Sequence, residues 1–260
     1  MNEMGGPRLV LGLIPILVAH EMGHYVACRL YRVDATLPYF IPLPILSFVG
    51  TLGAFIRIRA PIPHRKALFD IGIAGPLAGF VACLPVLVLG TLEATVIPTP
   101  PADSQRYISF GDPLLVRWAY DWLRGDPPDG HTFLMGPLAT ASWFGLFVTA
   151  LNLIPVGQLD GGHVSYALLG RRAAVVSRLA MLGCLGLLYL RPTWLVWCVL
   201  LLLLGRRHPT TLDDELPLGT ARIVIGFVGI LVLAVCFTPS PIIVTWDDFL
   251  RGIQSLFTSG

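Results

Sequence analysis

Residues 9–30 read Leu-Val-Leu-Gly-Leu-Ile-Pro-Ile-Leu-Val-Ala-His-Glu-Met-Gly-His-Tyr-Val-Ala-Cys-Arg-Leu. The apolar run Leu9–Ala19 is too short to cross a bilayer, which takes roughly 20 apolar residues. It is long enough only if it continues through His20, Glu21 and His24 to about Leu30. A short apolar run behind Arg8 also resembles a signal-peptide core, but the residues that follow are too specific in pattern to belong to a discarded leader. The stretch therefore predicts a membrane helix with three polar side chains in its apolar course. Such groups are expensive in hydrocarbon and need a shared reason.

The rest of the chain agrees with that solvent. Of 260 residues, 55% are hydrophobic and 13% charged, with a mean hydropathy of +0.73. A soluble domain carries about 25% charged residues, so a soluble globule of this length could hardly cover its surface with polar groups. The net charge of +2 is too small for a nucleic-acid footprint. Cys28, Cys83, Cys184, Cys198 and Cys236 form no CxxC pair and lie mostly in apolar runs, where cysteine serves as a small hydrophobe.

The sequence predicts an all-α polytopic membrane protein of about six transmembrane helices, with spans near 8–31, 71–92, 137–160, 174–190, 192–205 and 219–238. The stretch 173–205 is too long for one span and short for two. Arg191-Pro192 in its middle reads as a hairpin turn. Basic side chains gather on the cytosolic side of a membrane. Arg32, Arg57, Arg59, Arg65 and Lys66 therefore place 31–69 in the cytosol, and the acidic segment 93–136 falls outside. Two spans within 173–205 then keep Arg206 and Arg207 inside, with both termini extracytoplasmic. Within 93–136, residues 114–123 read as a short surface helix, and no second domain is evident. Gly72, Gly75 and Gly79 along one span read as close helix packing. Trp143, Trp194, Trp197 and Trp246 read as packing or interface anchors, and Arg222 as a span end.

His20 and His24 stand four residues apart, about 400° of helical rotation, so they project from one face. Two imidazoles so placed can share one zinc ion, with Glu21 beside them to act on water at that metal. A catalytic zinc needs a third protein ligand and leaves a fourth position open. The candidate lies in Asn152-Leu-Ile-Pro-Val-Gly-Gln-Leu-Asp160-Gly-Gly-His163. Asp160 ends an uncharged stretch, and Pro155 and Gly157 interrupt the helix just before it. Broken backbone is tolerated at membrane depth only where protein or water satisfies it. His163 is a rival ligand, three residues nearer the cytosol.

His-Glu-Met-Gly-His in one span, followed by Asn-Leu-Ile-Pro-Val-Gly-Gln-Leu-Asp-Gly in a later one, resembles the site-2 protease family of intramembrane zinc metalloproteases. The second stretch fits that family's N-x-x-P-x-x-x-L-D-G pattern at every fixed position. The resemblance implies one catalytic Zn2+ held by His20, His24 and Asp160. It also implies Glu21 as catalytic base, and Asn152 holding substrate or polarising the scissile carbonyl. The implied activity is regulated intramembrane proteolysis of single-span membrane proteins. Similarity extends through Pro38–Pro44, Gly50–Ile58 and Asp70–Gly79, in the manner of the bacterial and plastid branch without a PDZ domain, which points to a bacterial cytoplasmic membrane. Residues 46–59 are β-rich, and a membrane-associated hairpin there could pair with an extended substrate. CAAX-type membrane proteases also carry HExxH but resemble enzymes with a glutamate third ligand, and no Glu lies inside a later apolar span. A non-catalytic metal transporter would spread ionisable groups over several depths, whereas this chain concentrates them at one.

Overall fold

The computed structural model describes residues 5–42, 51–100, 109–204, 211–213, 216–246, 248–251 and 254. It is mostly helical. The opening stretch forms α1 (Gly5–Leu30), which passes through Pro15 without ending. After a connection come β1 (Tyr39–Pro42), β2 (Thr51–Phe55) and β3 (Ile62–His64). Then α2 (Arg65–Leu92) starts at His64, whose Nδ1 accepts the Ala67 N–H at 3.1 Å and caps an otherwise orphaned donor. Strands β4 (Thr95–Pro98) and β5 (His131–Leu134) bracket α3 (Leu114–Leu123). Helices α4 (Pro137–Leu153), α5 (Asp160–Leu169), α6 (Ala173–Leu190) and α7 (Trp194–Leu204) follow, then β6 (Thr211–Asp213) and α8 (Thr220–Cys236).

Among the described residues, three helical stretches are long and apolar enough to cross a membrane: Gly6–Leu30, Arg65–Leu92 and Asp160–Leu190. The last joins α5 and α6 through a 3-10 turn at Gly170–Arg172. Helices α4, α7 and α8 are apolar but shorter. The outward faces of α6, α7 and α8 are apolar as well, with Leu182, Val196 and Phe227 exposed by 63%, 68% and 65%. A surface of that kind suits hydrocarbon and not water.

Two differences from the sequence expectation concern the middle of the chain. The helix expected over 137–160 stops at Leu153, and Asp160 opens the next helix rather than closing this one. Pro155 cannot donate to a continuing ladder, and Gly157 takes φ +47°, a left-handed conformation that glycine accepts without strain. Residues 160–172, expected as a cytosolic connection, are helical. The stretch 173–205 does contain two helices, turning at Arg191–Thr193 and packed on each other.

Alongside the helices, the described residues form three two-stranded sheets in the connections. β1 pairs antiparallel with β2, Tyr39 opposite Phe55 and Phe40 opposite Ala54. Residues 46–50 of the β-rich stretch lie outside the described residues, as do Arg206 and Arg207. β3 pairs in parallel with β6, and β4 antiparallel with β5. Parallel pairing of strands so distant in sequence leaves no local signal, because the ladder depends on where the helices bring the chain back.

The core is the contact of α1, α2 and α4, which buries Ile16, Phe69, Trp143 and Leu146. Close backbone approach makes it compact: a Cβ at Gly23 would collide with the Ala74 carbonyl, and one at Gly90 with the Ala139 backbone. Beyond one end of α2, Arg124 Nη1 donates to the carbonyls of Leu92 and Ala94 at 2.8 and 2.9 Å, a cation on a helix C-terminus. The surface helix expected at 114–123 is α3, which buries Val116 and exposes Trp118 and Trp122. Trp143 and Trp194 are buried packing residues whose indole N–H groups donate to Gly111 and Pro239 carbonyls.

Candidate metal centre

Helical spacing places His20 and His24 one turn apart on α1, both buried, at 4% and 7% exposure. Asp160 reaches them from the far side of the core because the chain breaks between α4 and α5. That break is closed locally: Val156 N–H donates to Ile154 O and Leu159 N–H to Val156 O. Gly161 and Gly162 lie so close to the Leu153 and Gly157 carbonyls that a Cβ at either would collide. The first turn of α5 is thus pressed against the end of α4, and its leading carboxylate, favoured at a helix N-terminus, turns toward α1.

Asp160 Oδ2 lies 3.3 Å from His20 Nε2 and 3.3 Å from His24 Nε2, and the two Nε2 atoms are 3.2 Å apart. Among the described residues this is the one cluster of three or more His, Cys, Asp or Glu groups whose ligand atoms converge. Ligands at about 2.0–2.1 Å from a tetrahedral zinc would stand about 3.3–3.4 Å from one another. The three observed separations are almost that edge. The donor chemistry, two imidazole nitrogens and one carboxylate, is that of a catalytic zinc site with one position open.

The surrounding groups fix the rings in this arrangement. His24 Nδ1–H donates to the Ile71 carbonyl at 2.7 Å, which fixes the tautomer and turns Nε2 toward Asp160. Gly75 lies under the same ring, where a Cβ would collide with it. A Cβ at Gly79 would stand 3.1 Å from His20 Nδ1. The glycines read from sequence as helix packing are therefore the floor of the site. Gly75→Ala is expected to lower metal affinity about 10- to 100-fold, the scale of lost ligand support. Gly183→Ala on α6, where a Cβ meets nothing within 4 Å, serves as the control in the same titration.

Glu21 is half-buried beside the cluster, in electrostatic reach of His24 and Asp160, and accepts a hydrogen bond from the Ile56 backbone just past β2. Asn152 Nδ2 is 3.3 Å from His20 Nε2, so the residue singled out on α4 also reaches this point. His163 lies outside the converging cluster, although it is close enough to Asp160 and His24 to interact electrostatically. All five cysteines are free and buried, in keeping with their reading as small hydrophobes.

Sequence reasoning missed the Ile71 carbonyl, the glycine floor and an ion pair between Asp70 and Arg222. A backbone acceptor carries no residue signal. The glycines were visible but read as close helix packing.

The sequence pattern of Peptidase family M50 matches residues 8–121 and 129–188 of this chain. The chain belongs to that family, the site-2 proteases. Among individual relatives, the "Probable zinc metalloprotease EGY1, chloroplastic" of Arabidopsis thaliana is 31% identical over 254 residues, 94% of this chain and 44% of that protein. The "Probable zinc metalloprotease EGY2, chloroplastic" of Oryza sativa subsp. indica is 31% identical over 241 residues, 86% of this chain and 42% of its own length. The "Probable zinc metallopeptidase EGY3, chloroplastic" of Arabidopsis thaliana is 26% identical over 240 residues, 85% of this chain and 41% of that protein. This M50 chain thus spans less than half the length of these relatives. No solved structure matches it significantly.

Proposed function

We propose that this M50 protein is a zinc-dependent intramembrane endopeptidase that cleaves transmembrane segments of single-span membrane proteins. The observation that carries the reading is the convergence of His20, His24 and Asp160 at tetrahedral-edge distances, with Glu21 alongside, among apolar helices. A zinc ion at this point supplies Lewis-acid polarisation of a carbonyl and makes water acidic near neutral pH.

The chain's own groups do the rest. Glu21 accepts the proton of the attacking water and delivers it to the leaving amine, so no acyl-enzyme forms. The Asn152 amide donates to the substrate carbonyl oxygen, where negative charge develops. The broken backbone at 154–159 gives water a polar route to an otherwise apolar site. A helical substrate hides its peptide bonds in its own ladder and must unwind first. The β1–β2 pair next to Glu21 offers strand edges for that, with the extended substrate held by β-addition.

In this reading α1, α2, α4, α6, α7 and α8 are six crossings, and the segment 93–136 faces the extracytoplasmic side with both termini. The β1–β2 hairpin rests at the membrane. The basic residues of 31–69 suit a cytosolic placement of that segment. The membrane proposed is a bacterial cytoplasmic one, while the relatives named above are chloroplastic. The partners are the bilayer and membrane-protein substrates, with no nucleic acid.

Metal removal tests the activity. Purified protein in detergent is expected to cleave a model single-span substrate, to stop after dialysis against a zinc chelator, and to resume on adding about one equivalent of Zn2+. Undiminished cleavage by fully zinc-depleted protein would overturn the proposal.

A further inference from the structure

Outside the metal cluster, among the described residues, a second set of ionisable groups joins three helices. Arg222, in the first turn of α8, donates from Nε to Asp70 Oδ1 at 2.9 Å and from Nη2 to Asp70 Oδ2 at 2.7 Å, a bidentate fork. Its Nη2 also donates to Tyr31 OH at 3.1 Å, and Nη1 donates to the Leu218 carbonyl at 3.2 Å. Tyr31 OH in turn donates to Asp70 Oδ2. Asp70 lies on α2, and Tyr31 immediately follows α1. The side chains of Arg222 and Asp70 are 27% and 28% exposed.

The placement ties this set to the imidazoles. Asp70 is followed by Ile71, whose carbonyl takes the His24 Nδ1–H, and then by Gly72, where a Cβ would stand 3.3 Å from the Asp160 carbonyl. Tyr31 follows the helix that carries both histidines. The network therefore pins α1 to α2 beside the point where α2 supports the cluster, and adds α8 from outside. A slip between α1 and α2 of a few tenths of an ångström would strain the 2.7 Å bond to Ile71. Half-burying an ion pair in apolar surroundings costs desolvation, and its best-attested return is registry.

We infer that Tyr31, Asp70 and Arg222 are positioning residues that set the register of α1 against α2 and so hold the His24 ring on the Ile71 carbonyl. The role rests on the metal-site reading above, but its first consequence needs no metal. In the metal-free full-length protein, labelled with 15N-histidine in detergent, the His24 Nδ1–H is expected to show a slowly exchanging, hydrogen-bonded resonance.

Arg222→Met is expected to speed its exchange at least tenfold and to weaken Co2+ binding about 10- to 100-fold, with the Co2+ absorption bands displaced. Arg222→Lys keeps the charge and loses the fork, so it should retain more of both properties than Arg222→Met. Tyr31→Phe, which leaves the ion pair intact, should show a smaller loss in the same direction and covers the case in which Arg222→Met fails to fold. Wild-type exchange and Co2+ affinity in Tyr31→Phe and Arg222→Met, or equal losses in Arg222→Lys and Arg222→Met, would overturn the inference. Wild-type protein that shows the protected resonance but binds no Co2+ would instead sink the metal reading and leave the register role standing.

Discussion

Glu21→Gln is expected to keep its metal and lose its activity. Glu21 stands apart from the three converging ligand atoms, so its replacement by an isosteric amide leaves the cluster unchanged. The amide cannot accept the proton of an attacking water at any working pH. General-base assistance is worth about 10²–10⁴ in rate, and cleavage of a model single-span substrate should fall by that factor, to the detection limit of a gel assay. Zinc content, by elemental analysis of the purified protein, should stay near one per chain. Cleavage at the wild-type rate in this variant would exclude Glu21 as the base. Loss of both zinc and cleavage would make it a ligand.

Asp160→Asn gives the opposite division. Its carboxylate stands 3.3 Å from both Nε2 atoms and is the only anionic member of the cluster. The amide is the same size but neutral, and it removes the charge that a divalent ion would meet. Zinc occupancy is expected to fall from about one to below about 0.1 per chain, with cleavage lost in parallel. Thermal unfolding provides a check that does not depend on activity. A ligand at about 100 times its Kd stabilises the state that binds it by about 2.7 kcal/mol. Zn2+ should therefore raise the unfolding temperature of wild type and leave that of Asp160→Asn unmoved. An equal rise in both would show that Asp160 is not a ligand and would return His163 to consideration.

The substitutions probe a site whose members the sequence singled out by different routes. His20 and His24 are fixed relative to each other by α-helical geometry alone, so their pairing needed only the four-residue spacing. Asp160 carried a weaker signal, an acidic residue behind a proline and a glycine at the end of an uncharged run. The helix break proved to be the device that delivers it, but the break starts at Leu153, earlier than the span boundary implied. Propensity marks where a helix weakens, and packing against the following glycines decides where it stops.

The sequence by itself determined the apolar, helical class and the pairing of His20 with His24, because hydropathy and helical periodicity are local properties of the chain. Asp160 stood beside the rival His163, and the family resemblance singled it out. Only the tertiary structure decided how those groups are held. The Ile71 carbonyl on His24, the absent Cβ of Gly75 beneath the ring, and the Asp70–Arg222 fork across 152 residues all arise where separate helices meet. Contacts of this kind depend on register between elements, to within a few tenths of an ångström. No pattern within a single helix encodes that distance. It is set by the close packing of α1, α2 and α4 and by the polar bonds that lock them in place.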